Sequence, residues 1–450
     1  MSSGRTGARI AAFRLLREVA RGEYADRAAS RALADLPPRD RALAREIGFG
    51  VLRLRARLDA ELAVLADRPL RRLQPEVLAW LRVGLYQIRE SRVPAHAAVH
   101  ESVEGLRHTA GGRAAGFVNA VLRRAAAAPP PPGVFPPLEA DPVGHLSTYG
   151  SHPEWLVRRW LFRWPLATVA RLVENDNRPP PVVLRVVREP ESAATRGARA
   201  GWPERDLEAL GLEALDDWPG LYRLADGDLE TALVATGGIV QDPAASAVVD
   251  YVGSEARGPA IDACAAPGGK AVALAALARD ARPFVAGDAS RRRLERLEAT
   301  RRRLGADLRI VALDARRPPL PDGWASTVLL DVPCMGTGVL RRRPDARWRL
   351  EPGRLESLAV LQTEILEAGA RLVAPGGLLV YATCSLEPEE NEERIDGFLA
   401  VHPEYRRDDG VRPATLPEDV IDERGDLVIR PWVRGTDGAF ASRLRREAAA

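Results

Sequence analysis

The chain has 450 residues, 46% of them hydrophobic and 28% charged, with a net charge of +3. That is the make-up of a globular protein of two or three domains with ample core; it excludes a disordered chain, and no run of about 18 apolar residues offers a membrane span. Three cysteines, at 264, 334 and 384, without paired spacing exclude a disulfide framework and a zinc cluster; with an N-terminus lacking an apolar signal core, they fit a reducing cytoplasm.

Residues 6–127 read as helices throughout. Apolar stripes at Leu15, Leu16 and Val19, at Ile47, Val51 and Leu54, and at Val77, Leu78, Leu81, Leu85 and Ile88 recur at helical spacing. Val99, Val103 and Leu106, then Phe117, Val118, Val121 and Leu122, continue the pattern. The spacing predicts an all-α bundle over 1–128, followed by a stiff proline-rich linker over 129–144. Residues 145–240 are mixed: Trp155, Leu156, Trp160 and Leu161 predict an amphipathic helix, and Pro181–Val187 a strand, so a small α+β unit is expected.

From 241 to 450 the rhythm becomes alternating strand and helix. Strands are expected at Ala260–Ala263, Phe284–Gly287, Leu308–Leu313, Thr327–Leu330 and Leu378–Ala382, with helices at 271–279, 290–304 and 354–373. Such alternation predicts a doubly wound, Rossmann-like α/β domain, with ligands at the carboxyl ends of the strands. All three cysteines fall in turns at those ends.

Of the 65 lysines and arginines one is a lysine, Lys270, and it closes the loop Asp262-Ala-Cys-Ala-Ala-Pro-Gly-Gly-Lys270. Small residues in Cys264, Ala265, Ala266, Pro267, Gly268 and Gly269 let a ligand approach the backbone, and the next helix offers free N–H groups. Neither the phosphate-loop nor the nicotinamide glycine spacing is present. Asp288, Asp314 and Asp331 follow three successive strands, a pattern suited to a cofactor bearing adenosine. Arg291–Arg293 and Arg301–Arg303 flank Leu294 and Leu297 and read as a solvated helix face. Arg341, Arg342, Arg343, Arg347 and Trp348, arginines beside an aromatic, suit phosphate contact and base stacking and are expected to bind RNA.

Three segments, DACAAPGGK at 262–270, DVPCMGTGVLRRRPDARW at 331–348 and YATCSLEPEEN at 381–391, carry a resemblance to the NOL1/NOP2/Sun (Fmu) family of RNA cytosine-5 methyltransferases. Val93–Val99 and Phe117–Arg124 further resemble the NusB-like domain of its bacterial members that act on the 16S ribosomal RNA. The resemblance implies a NusB-like bundle and a class I methyltransferase domain. It also implies S-adenosylmethionine against Cys264–Lys270, with Asp288 on the ribose and Asp314 near the adenine. Cys384 would then be the nucleophile towards C6 of cytosine and Cys334 its partner in proton removal, with Asp331 between cofactor and base and Lys270 as a source of thiolate-stabilising charge. From the residues alone the two cysteine roles are interchangeable. The implied partner is a single-stranded or loop cytosine of ribosomal RNA, the protein acting as a monomer without a metal. Methylation of transfer RNA, a non-enzymatic NusB-like antitermination factor and a thiol redox switch are the competing readings.

Overall fold

The structure, a computed structural model, describes residues 3–187, 204–253, 255–278, 280–408 and 413–448. Contacts divide the chain into two units. One comprises residues 1–179 with 340–350, the other 180–339 with 351–450.

The first unit is helical: α1 (Ser3–Ala20), α2 (Ala25–Ala32), α3 (Pro38–Arg53), α4 (Arg55–Leu65), α5 (Pro75–Glu90), α6 (Ala95–Ala110), α7 (Ala115–Ala127), α8 (Pro142–Thr148), α9 (Glu154–Arg163) and α10 (Leu166–Asn177). The predicted stripes face inward. Leu15, Ile47, Trp80, Leu81, Leu85, Val118, Val121 and Leu122 are fully buried, and the rings of Phe13 and Trp80 stack with centroids 5.1 Å apart. Prolines open α3 and α5, where a missing N–H costs nothing. The helical unit runs past the proline stretch at 129–132: α8, α9 and α10 belong to it, so the contact boundary falls after Pro179.

The second unit holds two sheets. The smaller is antiparallel, ordered β2–β3–β1–β4, from β1 (Val183–Val186), β2 (Leu212–Ala214), β3 (Leu221–Leu224) and β4 (Gly238–Val240), with α11 (Glu204–Ala209) and α12 (Leu229–Thr236) between its strands. After α13 (Pro243–Gly253) comes the large sheet: β5 (Ala260–Asp262), α14 (Gly269–Leu277), β6 (Phe284–Asp288), α15 (Arg291–Leu304), β7 (Arg309–Ala312), β8 (Ala325–Asp331), α16 (Pro352–Leu372) and β9 (Val373–Thr383). These five strands are parallel, in the order β7–β6–β5–β8–β9. The chain winds outward from β5 to β7, then restarts at β8 on the other flank of β5. The topological switch therefore lies between β5 and β8, where such sheets bind ligands.

Beyond the predicted strands the sheet continues. After α17 (Glu392–Val401) come β10 (Tyr405–Arg407), β11 (Leu427–Ile429), α18 (Pro431–Arg434) and β12 (Ala439–Arg446). Strand β12 pairs antiparallel with β9, with β10 and with β11.

Candidate active site

Strand β5 delivers Asp262 to the switch point, fully buried. The following loop is laced to its neighbours through its backbone: Cys264 N–H donates to Asp262 Oδ1 (3.1 Å), Ala265 N–H to the Gly287 carbonyl (2.8 Å) and Ala266 N–H to Asp288 Oδ2 (3.3 Å). Gly268 caps α14 with φ +111°, and a Cβ there would sit 2.4 Å from Leu297 Cδ1, so geometry and space both demand glycine. Asp288 ends β6 almost buried and also accepts from Ser290 N–H (2.7 Å) and Arg293 Nη2 (2.9 Å). Asp314 lies past β7, half-exposed, and hydrogen bonds from Arg316 (2.7 Å) hold its carboxyl below the ordinary range.

Asp262 itself was not singled out by the sequence. Its Oδ2 is buried with no partner, and burial, reinforced by the charge of Asp331, pushes its carboxyl up to about 8. A protonated, unsatisfied carboxyl at the end of a central strand is a candidate ligand-binding group.

Strands β8 and β9 lie side by side in register, Asp331 opposite Ala382, so the residues that follow them emerge together. Cys334 Sγ and Cys384 Sγ are 3.2 Å apart, and the Cys384 N–H points to Cys334 Sγ at 3.4 Å. Lys270 Nζ donates to Asp331 Oδ2 at 2.9 Å. Burial works against the lysine's charge, but the charge and hydrogen bond of Asp331 outweigh it, Cys384 and Asp262 adding, so its pKa is raised and it stays an ammonium. The hydrogen bond to Cys384, then burial and the Cys384 charge, push the Cys334 thiol well up. Cys334 therefore keeps its proton beside Cys384. Cys264 stands apart from this pair; burial first, then Asp262, raises its thiol.

A polar clasp holds the two cysteine turns together. Glu390, fully buried, accepts from Met335 N–H (2.9 Å) and from Gln362 Nε2 (2.8 Å), and Gln362 also donates to the Pro333 carbonyl (2.9 Å). Thr337 Oγ1 accepts from Leu386 N–H (2.8 Å), and Gly338 N–H donates to the Cys384 carbonyl (3.0 Å). A Cβ on Gly338 would meet that carbonyl oxygen at 2.8 Å. Thr383 donates to Asn391, which donates in turn to the Ser385 carbonyl. Glu390 and Asn391 lie inside the quoted third segment, yet their spacing alone does not distinguish a buried clasp from a charged surface turn. Among the described residues no group of three or more His, Cys, Asp or Glu has the geometry to hold a metal.

The residues expected to bind RNA belong to the first unit, where several of them are engaged by protein partners. Arg347 is fully buried; its guanidinium donates to the carbonyls of Arg53, Ser151 and Asp176 and to Asn177 Oδ1 at 2.9–3.2 Å. Arg341 is buried and donates to the carbonyls of Arg178 (3.2 Å) and Pro179 (3.1 Å). Trp348 Nε1 donates to the Leu52 carbonyl (3.0 Å), and the Arg55 guanidinium lies 5.3 Å over its ring. Arg341 and Arg347 satisfy helix ends and turns from within the fold, and Trp348 is half-buried. Arg342 is half-buried and Arg343 exposed.

Comparison with known proteins agrees with this architecture. Residues 253–445 match the model of the family described as 16S rRNA methyltransferase RsmB/F, residues 6–127 that of the NusB family, and residues 152–195 a ferredoxin-like domain of RsmF/B-like methyltransferases. Among curated proteins, ribosomal RNA small subunit methyltransferase B of Sodalis glossinidius is 34% identical over 425 residues, 92% of either chain. That of Klebsiella pneumoniae is 35% identical over 416 residues, 90% of either chain. Among solved structures, PH0851 superposes with a TM-score of 0.79 at 24% identity, covering 99% of this chain and 100% of its own. A methyltransferase homologue from Pyrococcus horikoshii covers 66% of this chain and 96% of its own at 23% identity, with a TM-score of 0.51. With about a third of its residues identical over nine-tenths of its length, the chain belongs to the RsmB/F family of ribosomal RNA small subunit methyltransferases.

Proposed function

We propose that the chain transfers a methyl group from S-adenosylmethionine to C5 of a cytosine in 16S ribosomal RNA, through a covalent bond between Cys384 and C6. The observation that carries this reading is the thiol pair, 3.2 Å apart at the ends of β8 and β9, beside the Lys270–Asp331 ion pair. C5 of cytosine is a weak nucleophile, and a thiolate added at C6 turns the ring into an enamine that attacks from C5. The hydrogen bond from Cys334 and the charge of Lys270 favour the Cys384 thiolate. Once its electron pair is in the new S–C6 bond, Cys384 no longer raises the Cys334 thiol, so Cys334 can release its proton to water. It then takes the C5 proton as the Cys384 thiolate leaves. Asp331, oriented by Lys270, accepts from the cytosine N4 edge.

The β5–β7 end suits the cofactor. Asp288 has used three of about four lone-pair positions and keeps room for a ribose hydroxyl, and Asp314 stands outward for an adenine amino group. The unpartnered Asp262 Oδ2 would meet the methionine ammonium, its carboxyl giving up its proton to solvent as the cation arrives. When bound, the cofactor supplies an electrophilic methyl on a sulfonium. A base reaches such a site only out of its stack, which favours a single-stranded or loop cytosine.

Labelled methyl transfer to unmodified small-subunit RNA tests the reading with wild type, Cys384→Ala and Cys334→Ala. We expect activity lost in Cys384→Ala and a denaturation-resistant RNA adduct in Cys334→Ala. An adduct in Cys384→Ala instead reverses the roles. Transfer by both variants at the wild-type rate overturns the covalent route.

A further inference from the structure

Helix α9 carries on its outer face a large aromatic side chain, Phe162, that the proposed chemistry does not use. Its inner stripe, Leu156, Val157 and Trp160, is fully buried. On the opposite side Phe162 is 93% exposed, the largest exposure of any large hydrophobic among the described residues. At 3.6 residues per turn, Trp155 lies about two turns before Phe162 on that same side, with Arg158 and Arg159 between them. The Arg158 side chain is 62% exposed and held only by a surface pair with Glu154 (2.7 Å), of the kind that opens readily. Trp155, half-buried, is anchored by its Nε1 donating to the Leu350 carbonyl (3.2 Å). At the turn into α10 the Arg163 guanidinium lies 4.3 Å over the Trp164 ring.

The face therefore runs aromatic, arginine, arginine, aromatic, arginine, with Glu154 as its one acid. A protein docking site would surround Phe162 with further apolar side chains; here its helical neighbours are guanidiniums. Rings interleaved with cations match a polymer that alternates flat bases with phosphates, and the rise between Trp155 and Phe162 is about 10 Å.

We propose that the outer face of α9 is a stacking platform for single-stranded RNA, Phe162 taking a base and Arg158 an adjoining phosphate. The proposal rests on the reading that the chain acts on RNA. Its test uses the full chain and a single-stranded RNA bearing 2-aminopurine, whose fluorescence falls on stacking, with Phe162→Ala, Phe162→Trp and Arg158→Gln. Phe162→Ala should bind roughly tenfold more weakly and lose the quench, with unchanged melting. Phe162→Trp should keep both, and Arg158→Gln should keep the quench while lowering the salt slope by about one. Wild-type binding and quenching in Phe162→Ala overturns the platform alone, the RNA reading standing on wild-type methyl transfer. A wild type that neither binds nor methylates RNA overturns both.

Discussion

Lys270 illustrates what a single residue contributes to the candidate site. Its ammonium pairs with Asp331 at 2.9 Å, and its charge is close enough to Cys384 that each favours the ionised form of the other. Lys270→Gln removes that charge. Fewer Cys384 thiolates then exist at neutral pH, and the acid limb of the pH–rate profile should move to higher pH, with a loss on the order of a hundredfold near pH 7. An unshifted limb would remove Lys270 from thiolate activation. Asp262 gives a second residue-scale prediction. Its carboxyl stands at about 8 in the folded chain against an ordinary 3.8. Between those values the unfolded chain has lost the proton while the folded chain keeps it, so stability falls as pH rises from about 4 to 8 and levels off above. Asp262→Asn keeps an acceptor for the Cys264 N–H and removes this dependence. Its melting temperature should exceed that of wild type at pH 8, by the equivalent of at most a few kcal/mol, and converge with it near pH 4. The two residues bracket a loop that the sequence marks plainly, with a lone lysine and small residues between a strand and a helix.

At the scale of elements, β5, β6, β8 and β9 were legible because strands buried in a parallel sheet read as unbroken apolar runs. Strand β12 was not, although Ala439, Phe440, Ala441 and Leu444 are buried, because Ser442 and Arg443 interrupt the run. Arg443 is buried with the carbonyls of Tyr251 and Asp408 accepting from it, partners that no local pattern reveals. The same limit hid the clasp between the cysteine turns. Glu390 looks like one of several acids in a charged stretch until α16 brings Gln362, and the turn after β8 brings Met335, to its carboxylate. Glu390→Ala leaves the Met335 N–H buried and unpaired, while Gln362 keeps only its bond to the Pro333 carbonyl. It should cost about 1–3 kcal/mol of stability, seen in thermal melting. It should also lower kcat through the displaced Cys334 turn while leaving KM for the cofactor nearly unchanged, because the clasp touches none of the β5–β7 loops. A raised KM with normal kcat would show that the clasp serves the cofactor side instead.

Across the whole molecule, sequence order and folding units do not coincide. Residues 340–350 belong with the first 179, more than 150 positions away in sequence. An arginine beside a tryptophan has the composition of an RNA contact, and composition cannot tell a solvent-facing guanidinium from one whose donors are spent on carbonyls. Arg347 is of the second kind: it ties the ends of α3 and α10 and the turn at Ser151. Asp345 accepts from the Ala25 N–H at 3.1 Å, opening α2 in place of a local cap. A chain of residues 180–450 would keep the whole α/β sheet yet lose every one of these partners. Its segment 340–350 should then become accessible backbone, and trypsin should cut after Arg341 or Arg342 at least roughly tenfold faster than in the full chain. In the full chain the buried Arg341, held by the carbonyls of Arg178 and Pro179, should delay cleavage there until after cuts at exposed arginines such as Arg158. Equal protection in the shortened chain would mean that 340–350 folds with the second unit unaided, and that Arg347 is a consequence of the helical unit's packing rather than a cause of it.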